Sequence, residues 1–102
     1  MQKFNKLVRD KIPDIIRANG EVPMTYVADD EEYYQRLKQK LQEEIDEFIA
    51  EDNIEELADV LEVIYALCDV QNVRRVDLEQ IRQIKEDKRG GFKEKIILKS
   101  TQ

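Results

Sequence analysis

The chain has 102 residues, 41% of them hydrophobic and 39% charged, with a net charge of −6 and no histidine. That length suits a single domain spanning 1–102, and a chain this short buries only roughly 60–68% of its unfolded surface, so self-association would help it. The negative balance argues against a nucleic-acid groove, and the lack of imidazole excludes histidine-based zinc sites, histidine triads and Glu-x-x-His di-iron centres.

The opening MQKFNKLVRDK carries no apolar signal-peptide core and no run reaches transmembrane length, so the expectation is a cytoplasmic protein without a membrane partner. Lys3, Lys6, Arg9 and Lys11 surround Leu7, Val8 and Ile12. Basic residues in such a setting are ordinarily a solvated face; the functional alternative is a phosphate-binding arm. Pro13 suits a first turn and Asn19-Gly20 a C-terminal stop, which predicts a short helix over about 10–19. Residues 22–28 and 92–98 are both strand-like, and a small β-ribbon between them is the expectation, although two strands need something to pack on.

Asp29 followed by Glu32 reads as a capping box that opens the main helix. Tyr34, Leu37, Leu41, Ile45 and Phe48 then recur at spacings of three and four, the mark of one buried stripe. At about 100° per residue, Lys40, Glu44, Glu47 and Glu51 fall together on one flank of that stripe. A turn follows at 50–53, where either Asp52 with Glu55 or Asn53 with Glu56 can cap the next helix. That helix, over about 54–71, is apolar on most sides (Val60, Leu61, Val63, Ile64, Leu67 and Cys68), which points to a second contact with another subunit. Cys68, the one cysteine, reads there as an inert buried thiol. Asp77 with Gln80 marks a last helix whose core stripe is Leu78, Ile81 and Ile84, ending near Lys88. Arg89-Gly90-Gly91 then gives either a plain turn or a backbone able to approach a phosphate. Together these elements predict an all-α antiparallel bundle of about four helices, completed by oligomerisation.

The acidic residues carry the chemistry. Glu43-Glu44-x-x-Glu47 is answered, after an interval of eight residues, by Glu56-x-x-Asp59, and residues three apart are neighbours on a helix surface. Two helices joined by a tight turn would aim Glu44, Glu47, Glu56 and Asp59 at one point. Glu43, Asp46 and Glu51 read as solvated charge, and Glu56 can serve simply as the third residue of an Asn53 cap. Asp59 has no such role: it lies in line with Val63, Leu67 and Val70, with no basic residue three or four positions away. A desolvated carboxylate without a partner would be protonated, and a cation removes that difficulty. Oxygen-only ligation suits Mg²⁺ or Mn²⁺, and a metal held so can bind a polyphosphate and activate water.

The paired acidic motifs resemble those of the all-α nucleoside triphosphate pyrophosphatases, the MazG, dimeric dUTPase and phosphoribosyl-ATP pyrophosphohydrolase group. The opening KLVRDKIPDII and closing KRGGF resemble its small MazG-like branch. The resemblance implies a helical, oligomeric (dimeric or tetrameric) enzyme that cleaves nucleoside triphosphates between the α- and β-phosphates with Mg²⁺. By position in the motif it implies Glu44, Glu47, Glu56 and Asp59 as metal ligands, with Glu43 orienting them or assisting the attacking water. Lys6, Arg9, Lys11, Lys88 and Arg89 are the candidates to meet the phosphates, and Tyr26, Tyr33 or Tyr34 to stack on a base or join the core. The interval between the motifs is shorter than is usual in MazG itself, so MazG's substrates do not carry over. Turnover of phosphoribosyl-ATP, or a helical module that binds nucleotide or metal without turnover, are the alternatives.

Overall fold

In the computed structural model, which describes residues 5–102, four helices succeed one another: α1 (Ile12–Ala18), α2 (Asp30–Glu51), α3 (Ile54–Val70) and α4 (Arg75–Arg89). Lys3 lies outside the described residues. No strand occurs among those residues, and the fold is an all-α, bundle-like arrangement. No helix is long and apolar enough to cross a membrane.

The ends of α2 are set by side chains close in sequence. Asp29 adopts an extended backbone and its carboxylate accepts the Glu32 N–H at 2.8 Å, which satisfies one of the orphan donors of the first turn. The reciprocal half of the expected capping box does not form. The Glu32 carboxylate turns instead to the Tyr26 hydroxyl at 2.5 Å and to Arg36 at 3.3 Å. Asp52 stops the helix in the left-handed region, φ 54°, while its N–H reaches back to the Phe48 carbonyl at 2.8 Å. Aspartate is one of the few side chains that tolerates this conformation. Of the two caps that the sequence offers α3, Asn53 is the one used. Its side chain accepts the Glu55 N–H at 3.0 Å rather than that of Glu56, whose N–H bonds the Asn53 carbonyl.

With only Asp52 and Asn53 between them, α2 and α3 fold back as an antiparallel hairpin, and this is the principal packing of the chain. Leu37, Val63 and Cys68 form its buried centre. Tyr34, Leu41, Ile45 and Phe48 are half-buried beside them, as their spacing predicts. Cys68 is indeed a buried free thiol.

Helix α4 touches only α3, where the Arg75 guanidinium lies 4.0 Å from the centre of the Tyr65 ring. It begins two residues before the predicted Asp77 cap. Asp77 occupies the third helical position and its carboxylate accepts from the Arg74 N–H at 3.1 Å and from the guanidinium at 2.8 and 3.0 Å. Asp77 therefore caps from inside the helix, as the third residue of a box that starts at Arg74, and not from the N-cap position. The expected core stripe of α4 is likewise mostly bare: Leu78 is half-buried, but Ile81 and Ile84 are exposed.

The β-ribbon between 22–28 and 92–98 does not form within the chain. Both segments lack regular structure, and 92–95 make a turn closed by the Lys95 N–H on the Phe92 carbonyl at 3.2 Å. Neither segment meets a surface that could shelter a two-stranded ribbon, and Pro23 withholds one donor. The resulting shape is open. The Cα radius of gyration is 18.0 Å and the long axis 60 Å, against a radius of about 13 Å for a compact domain of this length.

Candidate metal centre

The turn of the α2–α3 hairpin places the end of one acidic helix beside the start of another. Oxygens of Glu43, Glu44 and Glu47 all lie within 4.8 Å of one another, and so do those of Glu44, Glu56 and Asp59. Glu44 is common to both groups, so the four expected ligands meet as two overlapping sets centred on one residue. Glu44 is also the most deeply placed acid, 7% exposed.

Its two oxygens have different surroundings. Oε1 faces the Lys40 ammonium at 3.4 Å, whereas Oε2 is buried without a hydrogen-bond partner. Glu56 has the same defect at its own Oε2. An unsatisfied buried oxygen costs on the order of 1–3 kcal/mol, more when charged. The electrostatics register the strain. Desolvation, with Glu47 as the next contributor, holds the Glu44 carboxyl above its ordinary value against the pull of Lys40. Desolvation pushes Glu56 up to about 7, with the Glu47 and Glu51 carboxylates adding to it.

Asp59 corrects the expectation built on its sequence neighbours. No basic residue on its own helix approaches it, yet Arg9, fifty residues upstream, donates to its carboxylate at 2.7 Å. Lys6 and Lys40 each stand 3.4 Å from Glu43. The segment before α1 therefore lies against the acidic hairpin and supplies it with cations. Five carboxylates (Glu43, Glu44, Glu47, Glu56, Asp59) face three cations (Lys6, Arg9, Lys40), which leaves two negative charges in the cluster when all are ionised. Beside these groups lies a cleft of about 280 Å³, to which the segment before α1 contributes Lys6 and Arg9, α2 contributes Lys40, Glu44 and Glu47, and α3 contributes Asp59.

Of the basic residues singled out from the sequence, Lys6 and Arg9 line the cleft, while Lys11, Lys88 and Arg89 are exposed and do not. Lys40 takes a place that was not assigned to it, although its position four residues before Glu44 was the available signal. None of the tyrosines lines the cleft. Tyr26 bonds Glu32, Tyr34 lies 4.4 Å beneath the Lys38 ammonium, and Tyr33 borders a separate hollow with Asp30 and Asp69.

The donor set is all oxygen, is partly desolvated and holds two orphan oxygens, and so has the chemistry of a site for a hard divalent cation. The residues present fit such an ion.

A stretch of 47 residues, 46% of the chain, is 47% identical to an uncharacterized protein of Mycolicibacterium smegmatis, of which it covers 48%. The chain thus spans about half the length of the curated relative it matches. No family model matches the chain, and no solved structure matches it.

Proposed function

We propose that the protein is a Mg²⁺-dependent nucleotide pyrophosphohydrolase, acting in the cytoplasm as a homo-oligomer on a non-standard or surplus nucleoside triphosphate. Mn²⁺ is the alternative ion. The observation that carries the reading is the pair of unpartnered buried oxygens on Glu44 and Glu56, set with Asp59 in one oxygen cluster beside a cationic wall.

Glu44, Glu47, Glu56 and Asp59 would hold the ion. When bound, it would screen polyphosphate charge and lower the pKa of a water. Arg9 and Lys6 are positioned to exchange a carboxylate for a phosphate oxygen, since both already form ion pairs at the mouth of the cleft. Arg9 presents the fork that suits phosphate, and Lys6 a mobile point charge. Glu43, 3.4 Å from both the Lys6 and the Lys40 ammonium, is the candidate to orient the ligands or to accept a proton from the attacking water. Hydrolysis breaks the α–β anhydride, adds one water across it, and yields a monophosphate and pyrophosphate. The released proton passes through Glu43 to solvent.

A second reading, a nucleotide- or metal-binding module without turnover, draws on the Arg9–Asp59 pair, which already neutralises one of the proposed ligands. Pyrophosphate release from a panel of ordinary, deoxy and modified nucleoside triphosphates, together with phosphoribosyl-ATP, separates the two. Release that requires Mg²⁺ and is abolished in Asp59→Asn and Glu47→Gln supports the enzyme. Full turnover in both variants would overturn the ligand assignment. Metal binding with no product across the panel would favour the module.

A further inference from the structure

We propose that two copies of this chain exchange their extended segments, residues 96–100 of each pairing as a β-strand with residues 24–28 of the other. This inference does not rest on the metal site. Val22, Met24, Val27, Ile96, Ile97 and Leu98 are all more than three-quarters exposed, from 78% to 98%. Single exposed apolar residues are unremarkable, but two runs of them are the signature of a surface that is covered in use. Both runs are also β-formers with bare backbones: among the described residues, no backbone hydrogen bond engages 22–28 or 96–100. Unpaired backbone of this kind can serve as a template for pairing with another chain.

Three further observations select a second copy as the occupant. The strands themselves carry only Lys99, but the residues that flank them are complementary in charge. Residues 21–30 contain Glu21, Asp29 and Asp30 and no base, whereas 92–99 contain Lys93, Lys95 and Lys99 against the single Glu94. Both complementary halves belong to the same chain, and yet they do not pair with each other within it. A reciprocal exchange uses each half once and closes a two-fold dimer. Finally, the accessible surface is 9528 Å², whereas a compact monomer of 12.1 kDa exposes about 6000 Å². The excess is several times the ~800 Å² per partner of a standard interface. Pro23 lacks a donor and bounds the first strand on its N-terminal side, which leaves 24–28 to match 96–100 in length.

The test is mixed-chain cross-linking in the 102-residue chain carrying Cys68→Ser. One chain receives Val27→Cys and the other Ile97→Cys, and a second pair, Thr25→Cys with Ile96→Cys, covers a shifted register. All four positions are exposed, so the substitutions leave the helices intact. The proposal expects the unsubstituted chain to sediment as a dimer. It also expects mild oxidation of at least one mixture to give a disulfide-linked heterodimer, in at least fivefold excess over either chain alone. Three results would overturn it: a monomer at all concentrations, a dimer in which neither pair cross-links, or a Val27→Cys/Ile97→Cys double variant that cross-links at monomer mass.

Discussion

Glu56 is the residue whose environment makes the sharpest solution prediction. Its carboxyl titrates near 7 in the folded chain, above the ordinary 4.5. Between those values the folded state binds more protons than the unfolded state, so the contribution of this group to stability falls as pH rises through the window. Glu44 is shifted in the same direction. Metal-free protein is therefore expected to melt at a higher temperature near pH 5 than near pH 8, with Glu56→Gln flattening the dependence. If the proposed site holds Mg²⁺, saturating ion should raise the melting temperature at pH 8, since it would bind the folded ligand set alone. Thermal melts by circular dichroism at the two pH values, with chelator and with Mg²⁺, check both statements. Arg9 gives a second prediction. On the proposed reading it would compete with a cation for Asp59, so Arg9→Ala should tighten Mg²⁺ binding while weakening nucleotide binding about tenfold or more, the value of a charged hydrogen bond. Calorimetric titrations of Mg²⁺ alone and of a nucleotide in Mg²⁺ would show opposite changes.

At the scale of the element, the α2–α3 hairpin carries both the core and the acidic cluster. Leu37 is its most buried side chain, 3% exposed, and Leu37→Ala should cost about 2–5 kcal/mol. Asn53→Ala removes the cap of α3 and should cost about 1 kcal/mol. Urea denaturation resolves both. The hairpin was legible in the sequence because its causes are local. The stripe from Tyr34 to Phe48, the Asp29 cap and the acidic spacing are all relations among near neighbours. What was not legible depends on distant chain. The Arg9–Asp59 ion pair joins residues fifty positions apart, and no periodicity within a helix announces it. The start of α4 was misplaced because Asp77 reads as a cap, and only the geometry shows Arg74 drawing its carboxylate back. The ribbon was inferred from composition alone, and β-rich composition does not say which chain supplies the partner strand.

On the scale of the whole molecule, the long axis is 60 Å and apolar side chains of α3 and α4, Leu61, Ile81 and Ile84 among them, stand exposed. If segments exchange between copies, the melting temperature should rise with protein concentration over a hundredfold range, as it does for any folded state stabilised by association. A concentration-independent melt would contradict that expectation. The two-residue connection between α2 and α3 has a further consequence, which concerns the order of folding. Every acidic member of the cluster comes from one continuous hairpin, so closing it requires only a short loop and little chain entropy. The carboxylates can gather while the residues after α3 are still leaving the ribosome, before any second copy could dock. The cationic wall needs no later chain either, since Lys6 and Arg9 precede the hairpin. Assembly would then act on a site whose charges are already in place.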